Sequence, residues 1–257
     1  MHYSSEQERE LETACNDVLN RLPDLWVMLA RDVAPSLNYE EAREHIVHGV
    51  CRRLMIIQRC IENIFTIFPP PRKQLLSVDE RVDLEINLHS FLINIHGVPD
   101  NLAWTYVLER KIDIRQIHVG LFNPQTQEHL PADVRTYLAS EPMSSWHREY
   151  AKNYRDALAH RVPPYIPPST FTPTHEQQYR KLHERESQAI KDRNSELALE
   201  LGDAKDAIGI ICPAFMHSFL DKEAMKPIIL HPQLIVDTRT VMQIISMVAP
   251  HLSLPKG

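Results

Sequence analysis

Apolar positions recurring every three to four residues dominate the first two thirds of the chain, and that spacing predicts helices. Leu11, Cys15, Val18, Leu19 and Leu22 mark a first helix, opened at Ser4 or Ser5 with Glu8 following and kinked or ended by Pro23. A second start at Asn38, with Glu40 and Glu41 in its first turn, leads into Ile46, Val47, Val50, Leu54, Ile57, Ile61, Ile64, Phe65 and Phe68. That run describes a long buried helix closed by Pro69-Pro70-Pro71. Ser77-Val78-Asp79-Glu80 opens a third, carried by Leu84, Leu88, Phe91, Leu92 and Ile95. Gly97-Val98-Pro99-Asp100-Asn101 is expected to interrupt it before Leu102-Ala103-Trp104.

The pattern is weaker from 111 to 143, where Asn123-Pro124 and Leu130-Pro131 mark turns ahead of a short helix over 132–138. Ser144-Ser145 is read as the cap of a further helix, which Pro163-Pro164 stops at or just before Val162. The prolines from 163 to 173 predict an extended surface strip. A charged, solvated helix is expected over 174–205 and a final helix over 238–248, with short buried connections or strands at 208–213 and 227–232. The fold class is all-α: a helical bundle over 1–173, with a helical C-terminal region over 174–257 packed on the same core.

Composition sharpens this picture in three ways. With 43% hydrophobic residues the 257-residue chain can bury a real core, and 6 glycines against 19 prolines suit long helices joined by stiff connections. A net charge of −6 argues against a broad nucleic-acid-coating surface but leaves room for a small basic site. Cys15, Cys51, Cys60 and Cys212 form no CxxC pair, so reduced thiols and a cytoplasmic location are expected. No signal peptide or membrane-spanning run is read, and no membrane partner is expected.

Candidate chemistry concentrates in Arg155-Asp156-Ala157-Leu158-Ala159-His160, at the end of the helix stopped by the double proline. An arginine and a histidine are the groups needed to cleave a phosphodiester without a metal. Asp156 stands four residues before His160, within reach to orient the imidazole. Arg148, Lys152 and Arg155 form a basic stripe, whereas Trp146, Tyr150, Tyr154, Ala157 and Leu158 form the core face. On an ideal helix Arg155 and His160 diverge by about 140 degrees. One regular helix therefore cannot aim both at one phosphate, and convergence needs a loosened last turn or a second copy of the helix. A solvated basic face is the plainer alternative.

Two other groups compete. Asp83, Asn87, Ser90 and Asn94 make a polar stripe on the third helix that either faces water or lines a site, with Asn87 and Asn94 as the lining candidates. Glu41, His45 and His48 share a face but lack a fourth ligand in register, so no metal or other cofactor is expected. Phosphate-loop, GxGxxG and GxSxG patterns are all missing, which disfavours nucleotide-driven and serine-hydrolase chemistry.

The segment Arg155 to His160 resembles the signature of the HEPN superfamily: arginine, a polar residue, three more positions, histidine. Gly97-Val98-Pro99-Asp100-Asn101-Leu102-Ala103-Trp104 and Arg161-Val162-Pro163-Pro164-Tyr165-Ile166-Pro167-Pro168 look like segments of uncharacterised bacterial members, so the resemblance spans about 40 to 168. It implies a four- or five-helix bundle pairing as a homodimer. The implied activity is metal-independent endoribonuclease, in toxin–antitoxin, defence or RNA-processing settings, with RNA and an antitoxin or other protein as partners. His160 would handle a proton, Arg155 would stabilise charge on phosphorus and Asp156 would orient His160, with Arg148, Lys152 and Arg161 contacting RNA. The alternatives are a non-catalytic HEPN-like dimeric scaffold, and more distantly a metal- or ligand-binding helical bundle.

Overall fold

The computed structural model describes residues 2–218 and 224–254, so 219–223 and 255–257 of the C-terminal region lie outside the described residues. The first helix, α1 (Ser5–Met28), starts from a capping box in which Ser4 Oγ accepts from the Gln7 amide and Gln7 Oε1 accepts from the Ser4 amide. Gln7, one position earlier than Glu8, is the reciprocal partner. The helix passes through Pro23 without ending, burying Cys15, Val18 and Leu22, and relaxes into a π-helical turn at Leu29–Val33.

The second rod has three parts: α2 (Glu40–Glu44), a π-helical stretch His45–Cys51, and α3 (Arg52–Ile67). Its apolar stripe is buried as the periodicity predicts, through Ile46, Val50, Leu54, Ile57, Ile61 and Ile64. Asn38 does not cap it. Tyr39 occupies the cap position with no side-chain bond, and the amides just ahead of the helix are met from a distance. The buried carboxylate of Glu109 accepts from the Asn38 amide at 2.9 and 3.0 Å, from Asn38 Nδ2 at 2.6 Å and from the Tyr39 amide at 3.3 Å. A carboxylate at a helix start also complements the dipole. Glu109→Gln turns one acceptor into a donor facing other donors, and is expected to lower unfolding stability by about 2 kcal/mol. Chemical denaturation would check this; an unchanged midpoint would show that water serves those amides equally well.

Glu109 ends α4 (Val78–Glu109), which opens on a Ser77–Glu80 capping box with Arg72 held against Glu80 at 2.8 Å through both Nη atoms. The expected interruption at Gly97–Pro99 does not occur. Pro99 gives up the amide bond to the Ile95 carbonyl, which costs roughly 3 kcal/mol in an isolated helix. Here Gly97, Val98 and Pro99 are all buried, and packing against neighbouring helices keeps the helix continuous.

Beyond α4 come the short α5 (Pro124–Gln127), α6 (Ala132–Ala139) and α7 (Glu141–Ser145). A π-helical turn, Trp146–Ala151, joins α7 to α8 (Lys152–His160). The rod carrying the motif thus begins at Glu141 behind Ser140 rather than being capped by Ser144-Ser145. It stops where the prolines require, with Arg161 already extended at φ −128° and ψ −162°. The charged stretch after it is a hairpin of two helices, α9 (Pro173–Lys191) and α10 (Ser195–Asp206), not one. Arg193 turns the chain at φ 56°, and Asn194 Oδ1 caps α10 by accepting from the Leu197 amide.

β1 (Ala214–His217) and β2 (Lys226–Ile229) form a two-stranded antiparallel ribbon with Ala214 opposite Ile229. Residues 163–170 run beside it, Tyr165 bridging to Met216 and Thr170 to Ile210. They are also tied to α4: His89 Nε2–H donates to the Pro164 carbonyl at 2.6 Å, and Glu85 accepts from the Ile166 amide at 2.9 Å. The last helix, α11 (Leu230–Val248), starts at Leu230 instead of Thr238 and packs against α1 and α4. It shares one hydrophobic core with them. His231 pins it: its Nε2–H donates to the Phe68 carbonyl at 2.6 Å, so its Nδ1 accepts from Tyr3 Oη at 3.1 Å. Helix accounts for 73% of the structure and strand for 4%, which fixes the class as all-α. No helix among the described residues is long and apolar enough to cross a membrane.

Candidate functional site

The motif helix is held by its core face. Tyr154 and Ala157 are buried, the Tyr154 ring meeting Phe215 and His217 edge-on. About two turns earlier, Trp146 Nε1–H donates to Asp237 Oδ1 of α11 at 2.8 Å, an oxygen that also accepts from Gln233 Nε2 at 2.8 Å. Asp237 is wholly enclosed, and burial pushes its carboxyl up to about 7 despite both donors. Its second oxygen has no hydrogen-bond partner among the described residues.

The opposite side of α8 carries the motif. Arg155 is 38% exposed and Asp156 35%, and Arg155 Nε lies 3.0 Å from Asp156 Oδ1, off the line of a hydrogen bond. His160 is exposed at the helix end. The structure therefore pairs Asp156 with Arg155, and no contact joins Asp156 to His160. Arg155 and His160 lie on the regular part of the rod, so their divergence stands within one chain.

The basic residues have separate fates. Lys152 is exposed, and Arg148 is exposed but leans on Glu149 Oε1 at 2.8 Å and Ser145 Oγ at 3.3 Å. Arg148 lies inside the π-helical turn, which shifts its phase relative to Lys152 and Arg155 on α8. Arg161 is engaged structurally: Nη2 donates to the Asn153 carbonyl at 3.0 Å and to Asn153 Oδ1 at 2.6 Å, and Nη1 donates to the Ser218 carbonyl at 3.3 Å.

Beside Arg155 lies a cluster that the sequence pattern did not reveal. His147 stacks flat on Phe122, with centroids 3.9 Å apart, and stands 6.0 Å from the His96 ring. His96 Nδ1 meets Asp100 Oδ2 at 3.3 Å. Burial first, then His96, pulls His147 down to about 4; Lys152 and Arg155 press the same way and Asp100 opposes them. The segment from Gly97 to Trp104 thus runs alongside the motif helix through Asp100.

The other face of α4 borders a cavity of about 440 Å³ lined by Glu44, His45, His48, Gly49, Arg52, Arg53, Ile56, Asn94 and Asn101. Asn94 is buried there, while Asn87 sits further along the α3–α4 seam, accepting from Asn63 Nδ2 at 2.8 Å. The polar stripe therefore does not line one site. Arg53 Nε donates to Asn101 Oδ1 at 2.8 Å and Nη1 to Asn94 Oδ1 at 3.0 Å. Since arginine only donates, the Asn101 amide must direct its nitrogen at His45 Nδ1, 3.0 Å away. His45 Nδ1 then accepts, and its proton resides on Nε2. Two helical glycines make room: a Cβ on Gly97 would fall 2.4 Å from the Arg53 guanidinium carbon, and one on Gly49 would fall 2.7 Å from the Asn101 amide. Glu41 does not join His45 and His48 here, and among the described residues no group of three or more His, Cys, Asp or Glu side chains could hold a metal ion. No protein-family model, curated protein or solved structure matches this chain.

Proposed function

We propose that this protein is a metal-independent endoribonuclease of the HEPN type, acting as a homodimer through Arg155 and His160. One contrast carries the reading. Arg161, the next residue along, is engaged by Asn153 and Ser218, whereas His160 is exposed and the ion-pair partner of Arg155 among the described residues is its neighbour Asp156. An arginine and histidine kept for structure would be expected to make bonds of the kind Arg161 makes.

In the proposed reaction, His160 takes the proton of a ribose 2′-OH and the 2′-oxygen attacks the adjacent phosphorus. Arg155 stabilises the charge gathered on the phosphoryl oxygens. The 5′-oxygen leaves, taking its proton from the protonated His160 of the second copy, to give a 2′,3′-cyclic phosphate and a 5′-OH end. Two copies of α8 facing one another would supply the groups that a single regular helix holds about 140 degrees apart. The test is purified protein with single-stranded RNA in EDTA, with the ends analysed and mass measured by light scattering. Cyclic phosphate ends from a dimer are expected. A monomer at micromolar concentration, inert on varied RNAs, would sink the proposal.

A second reading, a non-catalytic HEPN-like interaction module, draws on a specific observation: Asp156 is turned to Arg155, leaving His160 without an orienting carboxylate in the single chain. That reading expects RNA or protein binding without cleavage, weakened most by changes at Arg148, Lys152 and Arg155.

A further inference from the structure

We infer that the recess between the His45–Cys51 stretch and α4 is a binding site for a small phosphate monoester, held by Arg53 and Arg52. The inference is independent of the ribonuclease reading, since it concerns the opposite face of α4.

The argument starts from how Arg53 is held. Half-buried arginines are ordinarily fixed by a carboxylate, which answers the charge as well as the donors. Arg53 is fixed by two amide oxygens, Asn94 Oδ1 and Asn101 Oδ1, which satisfy donors but carry no charge. Burial already works against its positive form, and the one carboxylate that supports it at a distance, Asp100, is in contact with His96. Arg53 Nη2 makes no hydrogen bond among the described residues. The result is a preorganised guanidinium with unused donors beside an open cavity, a common arrangement for recognising an oxyanion.

The remaining lining fits the same ligand. Arg52 and His48, exposed at the rim, add donors, and His45 offers Nε2–H because Asn101 fixes its tautomer. Glu44 is the opposing charge, so two guanidinium groups face one carboxylate. That leaves a net positive charge for an anion, and donors from Arg53, Arg52, His48 and His45 spread around the recess suit the three terminal oxygens of a phosphate monoester better than the two of a carboxylate. A volume of about 440 Å³ exceeds what a bare phosphate fills and suits a phosphate carrying a small organic group, with Ile56 as the apolar wall. The two glycines agree with this design: any side chain at 49 or 97 would displace the residues that position Arg53.

Titration calorimetry of the full chain in chloride buffer, with inorganic phosphate and then glycerol 3-phosphate, tests the site. One saturable site for each is expected, with sulfate competing. Arg53→Met should weaken binding by about tenfold or more. Because Arg53 lies in a helix seam, Arg52→Gln and His48→Gln at the exposed rim provide folded comparisons, checked by circular dichroism. Those two together should also weaken both ligands measurably. No saturable heat with either ligand would overturn the inference, and so would binding unchanged in all the variants. Binding confined to 5′-phosphorylated RNA, with none to glycerol 3-phosphate, would overturn it in favour of a nucleic-acid contact.

Discussion

His160→Ala is expected to reduce RNA cleavage by about 10²–10⁴-fold, the usual cost of losing a proton-transfer group, and Arg155→Ala by about 10²–10³-fold, the cost of losing one charge stabiliser. Neither side chain contributes to the core, so both variants should melt like the parent protein. That combination separates them from Arg161→Ala, which removes the bonds to Asn153 and Ser218 and should act on stability first. Asp156→Asn should be the mildest, within about tenfold of the parent, because the carboxylate flanks Arg155 and leaves His160 untouched. Initial rates on one RNA, measured beside melting curves, decide the matter. Cleavage undiminished in His160→Ala would place the activity elsewhere or in a contaminant.

The second large effect is a loss of stability in mild acid. His147, His217 and His231 are each pulled from 6.5 to about 4, chiefly by burial. A depressed histidine stabilises the fold above its unfolded value, and that contribution drains away as pH falls from 6.5 towards 4. By pH 5 each costs about 2 kcal/mol relative to neutral pH. Asp237 works in the opposite direction. Its folded value of about 7 stands above the unfolded 3.8, so the native state takes up a proton first and gains stability between those limits. That recovers about 2 kcal/mol by pH 5 and leaves a net loss of about 3–4 kcal/mol. Denaturation midpoints at pH 7 and pH 5 would show it. Asp237→Asn should raise stability at pH 8, where the parent carries a buried charge, and steepen the decline below pH 7. Parallel curves for the two proteins would mean that Asp237 is not ionised in the fold at neutral pH.

Much of the fold was legible because burial follows periodicity: the stripe from Ile46 to Ile64 is interior, and the end of α8 follows from Pro163-Pro164. The misreadings share a cause. Pro23 and Pro99 lie inside helices whose packing outweighs a missing bond, and local rules cannot weigh packing against residues far along the chain. Asn38 reads as a cap, yet its partner is Glu109, seventy-one positions away. At the candidate sites, Arg155, Asp156 and His160 were visible as a motif, but their pairing was not, since i, i+4 spacing permits the Asp156–His160 contact without requiring it. Arg53 was hidden at the start of α3, within the apolar stripe that reads simply as a buried helix. The only local hints were glycines at 49 and 97, in helices that should otherwise avoid them.

The central place of α11 bears on how the protein is made. During synthesis α1 and α4 leave the ribosome well before the helix that packs against both of them. Until it arrives, the surfaces of α1 and α4 that meet it belong to an unfinished interior exposed to other chains. Contacts that span most of the sequence, such as Tyr3 with His231, form late and slowly. The nascent chain should therefore depend on chaperones up to the moment α11 docks, and substitutions in that helix should appear first as lost yield and aggregation in cells.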